Sequence, residues 1–269
     1  MTAIDESDID MVFSNSKSLN QIAIVDLIKS MCTVSIEELD KEEGPRIFLL
    51  QKLVEVCDMN MNRARIEFSS MWKEMKDHIS TVGSHTNEQV AVYAIDSLRQ
   101  LAKKFLEKEE LNNYQFQKNF LEPFNIIVLN NMHVRMGIIH FIMSCMCSFA
   151  RQMTNNLRSG WEIIIEIFKF GGENDSYDLS KEAIETLDII LKKDSFIYIE
   201  EYFEKIINCL VKFMNNSFED HAMLSLDLIE RVSTYLGESN EFFERIIEKS
   251  REMFNTQQEK LEYKKRLWK

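Results

Sequence analysis

Apolar positions recur along this chain at intervals of three and four residues, and nowhere do they alternate with polar ones for long enough to make a strand. Leu19, Ile22, Ala23, Leu27, Ile28 and Met31 form the first such stripe, with Ser18 placed to cap it. Ser35 and Glu38 have the spacing of a capping box, which predicts a new short turn there. Pro45 stands where the first residue of a helix over 46–57 would be. Further stripes predict helices over about 62–82, ending at Gly83, and over 90–106, opened by a second capping box at Thr86 and Gln89. The remaining patterns cover 113–120, 123–129, 133–153, 160–170, 179–192, 201–213, 220–236 and 241 to the C-terminus. Helices of this length, arriving in pairs about 40 residues apart, read as stacked antiparallel hairpins in a HEAT- or armadillo-like α-solenoid. A compact irregular bundle is the alternative.

Composition sharpens this all-α reading. Only 7 of 269 residues are Gly and 2 are Pro, against average usage of roughly 7% and 5%. That poverty excludes most β-sandwiches and barrels, and no glycine cluster forms a phosphate-binding loop. Six of the glycines fall at expected helix boundaries, and only Gly137 lies inside a helix. Asn pairs at 112–113, 130–131, 155–156 and 215–216 mark other junctions, where Asn tolerates the left-handed conformation that ends helices. Residues 1–17 are expected to be disordered or extended, 18–250 to form one solenoid domain, and 251–269 to extend it as a charged helix.

Five scattered cysteines are expected to be reduced core thiols of a cytoplasmic protein. Asp5, Glu6, Asp8 and Asp10 stand where a secretory signal would be cationic and apolar. The longest uncharged run, 136–150, has 15 residues, too few for the roughly 20 of a membrane span. The net charge of -12 argues against nucleic acid as a partner. Charge is nevertheless unevenly spread: residues 59–158 hold 12 Lys and Arg against 9 Asp and Glu. The middle of the chain is its electropositive part.

No local pattern points to catalysis, a cofactor or a metal. His133 and His140 share a helix face but lack further ligands nearby, and Cys145 and Cys147 point apart on a helix. The segment 60–72 stands out, because Asn60, Asn62, Arg63 and Arg65 open a helix that goes on to Phe68, Met71 and Trp72. Its two arginines either offer planar forks to a partner's carboxylates or pair internally with an acid such as Asp96. Residues 96–111, with Arg99 and Gln100, read as a charge-laced helix face. Tyr114, Phe116, Phe120 and Phe124 form an aromatic cluster, either core or recognition platform.

On these stretches the chain resembles a known family. Residues 60–72, Asp96 to Leu101, Lys104 to Gln117 and the pair Pro123 and Phe124 are similar to the large brefeldin-inhibited type of Arf guanine-nucleotide exchange factor, in the helical region immediately downstream of the catalytic Sec-seven domain. Leu19 and Asn20, 32–39, Pro45 and Arg46, 52–57 and Ser159 to Trp161 agree with it. The resemblance covers about 15–215 and is densest over 19–124. Phe68 departs from it, since the family usually has Trp there. Nothing resembles the exchange domain, with its catalytic glutamate.

The resemblance therefore implies a non-catalytic regulatory segment of an enzyme of Golgi vesicle trafficking. Such a segment would dock GTP-loaded Arf-family GTPase, control recruitment or autoinhibition of the exchange domain, and reach trans-Golgi membranes indirectly. Other domains of the parent are further partners. The alternative is a structural scaffold that packs on the catalytic domain or makes the parent a homodimer. Candidate contacts are Asn60, Asn62, Arg63, Arg65, Trp72, Arg99, Gln100 and Tyr114.

Overall fold

Side chains a residue or two from the expected positions set the helix starts. Residues 6–41, 44–110, 114–131 and 135–237 are described by a computed structural model. Asn20 begins α2 (Gln21–Leu39), its Oδ1 accepting from the Ala23 amide at 2.9 Å. Ser18 instead donates to the Asn15 carbonyl. The predicted break at Ser35 does not occur. Ile24, Ile28, Met31, Ser35 and Leu39 make one buried stripe that carries α2 straight through. A cap is worth about 1 kcal/mol, whereas burying several large apolar side chains contributes about 1.5–3 kcal/mol each.

Pro45 precedes α3 (Phe48–Asn60) rather than opening it. Glu38, at the end of α2, caps that helix from outside by accepting from the Leu49 amide at 3.1 Å. Asn87, not Thr86, caps α5 (Glu88–Leu106), with its Oδ1 accepting from the amides of Gln89 and Val90. The segment expected to be disordered or extended carries α1 (Glu6–Ser14) and a 3-10 turn, Asn15–Ser18. An ion pair between Asp10 and Lys52 at 2.8 Å ties it to α3.

The largest departure is α6 (Phe116–Asn131), one helix where two segments were expected, with Pro123 in its interior. Proline has no N–H to give the carbonyl four residues earlier, and interior positions usually cost a helix about 3 kcal/mol. Here the Trp72 indole Nε1–H donates to that carbonyl, Asn119 O, at 3.0 Å. A side chain of α4 (Arg65–Gly83) thus replaces the missing backbone donor and lets the helix continue.

The remaining helices are α7 (Met136–Gln152), α8 (Trp161–Glu173), α9 (Tyr177–Ile190), the single-turn α10 (Lys193–Phe196), α11 (Phe203–Met214) and α12 (Glu219–Gly237). No strand occurs among the described residues. From α2 on, each long helix packs on its hairpin neighbour and on its counterpart in the next hairpin. One layer runs α2, α4, α6, α8 and α11, and the other runs α3, α5, α7, α9 and α12.

Polar rungs between successive hairpins repeat the period. Lys76 reaches Glu122 and Lys104 reaches Asp58, each over 46 residues. Lys118 reaches Glu162 over 44, and Tyr177 and Arg231 reach Asp220 and Asp188 over 43. This is the contact pattern that stacked hairpins of about 40 residues require.

The core follows the stripes, with Trp161, Phe120, Phe124, Phe168 and Phe213 fully buried between the layers. All five cysteines are free thiols. Burial pushes Cys57, Cys145 and Cys147 up to about 12, which leaves them unreactive. No helix among the described residues is long and apolar enough to cross a membrane. The region from 241 onward, including the expected extension at 251–269, lies outside the described residues.

Two expectations about junctions are corrected. Gly171 and Gly172 lie inside the last turn of α8, and a Cβ on Gly172 would stand 2.8 Å from the Phe213 ring and 3.0 Å from its amide nitrogen. Close packing of α11, not a turn, needs glycine there. Asn215 ends α11 at φ -94, outside the left-handed region. The junction is held by a side chain instead, as Asn216 Nδ2 donates to the carbonyls of Gly172 and Asn174.

Candidate partner-binding site

The corner from α3 to α4 brings together most of the residues singled out in the sequence. Asn60 ends α3 and is only 1% exposed. Its Nδ2 donates to Val56 O at 2.8 Å and to Ser16 Oγ at 2.9 Å, while its Oδ1 accepts from Arg63 Nε at 2.7 Å. The Arg63 guanidinium goes on to the carbonyls of Ser16, Lys17 and Leu19 and to the Glu67 carboxylate. It clamps the open end of the 3-10 turn onto α4. The acid suggested for this arginine, Asp96, is used elsewhere: it binds Arg99 at 2.7 Å and Gln100 at 2.7 Å within α5.

Trp72 is buried too, 4% exposed, and its ring lies 3.8 Å from that of Phe120, nearly parallel. Phe68 and Phe105 stack in the same column. The aromatic run is therefore largely core. Tyr114 is the exception, 52% exposed and stacked on Phe116 with ring centroids 5.2 Å apart.

A cleft of about 380 Å³ opens beside this corner, where α4 starts and α5 passes into α6. Asn62, Arg63 and Arg65 line it, together with three aromatic rings, Phe68, Phe105 and Phe116. Arg65 donates to Glu109 O at 2.6 Å and lies over the Phe116 ring, 5.7 Å from its centroid. Lys108 donates to Met61 O at 2.7 Å and Asn62 Oδ1 at 2.8 Å. Burial, and then the nearby Arg65 charge, hold the Lys108 ammonium below its usual range against the pull of Asp58. Positive charge is crowded here.

Glu110 also lines the cleft, but its hydrogen bonds go to neutral donors rather than to these cations. It is 7% exposed, and its carboxylate accepts from the Gln117 amide and from the amide and hydroxyl of Ser159. This fastens the α5–α6 loop to the start of α8. Sequence reading missed Lys108, Glu110, Phe105 and Gln117. The stacking period alone could have found Lys108, which stands 46 residues after its partner Asn62. Arg99 and Gln100 do not line the cleft. His140 shares a hydrogen bond with Ser176 Oγ at 3.2 Å, and His133 lies outside the described residues.

Comparison with known proteins gives this stack of hairpins a class. Residues 104–189 match the family described as Mon2/Sec7/BIG1-like, HDS. The chain is 37% identical over 238 residues to brefeldin A-inhibited guanine nucleotide-exchange protein 2 of Arabidopsis thaliana, 87% of this chain and 13% of that protein. It is 35% identical over 239 residues to brefeldin A-inhibited guanine nucleotide-exchange protein 1 of Homo sapiens, with the same coverage. The chain thus belongs with the HDS segments of the brefeldin A-inhibited exchange factors, and it spans 13% of the length of these relatives. The matched stretch is an HDS segment and not the Sec7 exchange domain.

Proposed function

We propose that this chain is a non-catalytic docking segment of an Arf guanine-nucleotide exchange factor acting at the trans-Golgi. It engages a GTP-loaded Arf-family GTPase and so governs recruitment or autoinhibition of the exchange domain. The observation that carries this reading is the cleft, in which Arg65 and Lys108 stand above an aromatic floor at the edge of the family match. Exposed Tyr114 stacks on the lining residue Phe116. A GTPase in its active state presents an apolar switch surface, and apolar groups ringed by cations suit such a partner.

Capture of GTP-locked and GDP-locked Arf by this chain on liposomes tests the reading. Preference for the GTP form is expected, reduced at least tenfold by Arg65→Glu. Equal capture of both forms, or none, overturns it. Capture of neither form together with a dimer in light scattering supports the scaffold alternative.

A further inference from the structure

We propose that the cleft is a peptide site, which takes an acidic segment with one bulky apolar side chain, the apolar group resting on Phe105 and Phe116 and a carboxylate meeting Arg65 and Lys108. This deepens the docking reading by naming the chemistry that the cleft recognises.

Three observations carry it. The volume of about 380 Å³ falls in the roughly 300–1,000 Å³ range of ligand clefts, so a whole side chain and its flanking backbone can enter. Among the described residues donors are left over: Lys108 uses two of its three N–H groups on Met61 and Asn62, and Arg65 makes one hydrogen bond, to Glu109 O. The nearest buried carboxylate, Glu110, is already engaged by Gln117 and Ser159, while exposed Glu109 meets Arg65 through its backbone. Asp58 attracts Lys108 from a distance, and Glu109 and Glu110 line the cleft. No carboxylate among the described residues is hydrogen-bonded to either cation, so an anion from outside can take their remaining donors.

The floor decides which anion. A free phosphate would leave the rings uncovered, and a bilayer surface would present headgroups to the cleft where the rings call for an apolar side chain. An acidic peptide with an apolar anchor satisfies both the rings and the cations.

The test is fluorescence anisotropy with a labelled eight-residue probe of Asp and Glu around one central Phe. Binding to the chain is expected, weakened at least tenfold by Arg65→Glu, by Lys108→Glu and by Phe116→Ser. Lys108→Gln, which keeps donors for Met61 and Asn62, should weaken it about threefold or more. Lys181→Glu, on α9, should leave it unchanged, and circular dichroism melts confirm that each variant is folded.

Equal binding of a probe with Ser in place of Phe overturns the proposal, as does equal weakening by Lys181→Glu. Capture of phosphatidylserine vesicles that Lys108→Glu abolishes, with no probe binding, assigns the cleft to lipid and also overturns it. The liposome capture of Arf is read separately. Probe binding that persists when Arf capture fails defeats the GTPase reading alone. Arf capture that persists when the probe fails defeats the peptide reading alone.

Discussion

The corner between α3 and α4 and the corner between α6 and α7 are built on one plan. At the first, Asn60 donates to the carbonyl four residues back and accepts from Arg63, whose fork grips the carbonyls of Ser16, Lys17 and Leu19. At the second, Asn131 donates to Ile127 O and accepts from Arg135, whose fork grips the carbonyls of Ser84 and His85. In both, an arginine satisfies backbone acceptors left open at the end of an earlier element. The corners differ in what surrounds the joint. The first has further cations, Arg65 and Lys108, against a cleft. An Asn and Arg pair in this fold is a fastener, and the candidate site consists of the charges the fastener does not use.

The sharpest way to break this comparison is to cut each joint. Arg63→Ala and Arg135→Ala should each cost roughly 2–4 kcal/mol, because each strands a buried Asn and several carbonyls. Urea denaturation measures both. A stable Arg63→Ala variant that loses partner binding would make Arg63 a contact and end the equivalence.

Next in size is a pH effect on α4, the helix that joins the two corners. His78 is 5% exposed with Nε2 unpartnered, and burial pushes its imidazole down to about 4 from an ordinary 6.5. Between those values the unfolded chain takes up a proton that the folded chain refuses. Stability present above about pH 6.5 is therefore lost as pH falls toward 4, by at most about 3 kcal/mol. A His78→Leu variant should show a flatter denaturation profile across that window. An unchanged slope would assign the loss to other groups.

Trp72→Phe should cost about 1–2 kcal/mol, since it keeps an aromatic ring in the column but orphans Asn119 O. In a Pro123→Ala background the cost should shrink, because alanine at that position regains the N–H that serves this carbonyl. Additive costs in the double-mutant cycle would refute that account. The smallest effects belong to the cleft: Arg65→Gln and Lys108→Gln should change stability by no more than about 0.5–1 kcal/mol while weakening docking. Their contrast with Arg63→Ala separates fastener from site.

Several of these distinctions were invisible in the linear pattern. Residues 60–72 were conspicuous, but Arg63 and Arg65, two positions apart, point to different neighbours. One is clamped to the turn at 16–19 and the other lies over Phe116. Pro123 read as a boundary because its rescuer, Trp72, comes from another helix. Ser35 read as a cap because spacing says nothing of which face is buried.

The sequence by itself determined the all-α class, most of the helices, their pairing near a 40-residue period and the family. Stripe periodicity and scarcity of Gly and Pro are properties of neighbouring residues, and so are the motifs. Only the tertiary structure decided which polar residues of those motifs are spent inside and which remain for a partner. Stacking brings together residues 43 to 47 apart in the chain, and a hydrogen-bonding group is free or consumed according to what that neighbour offers.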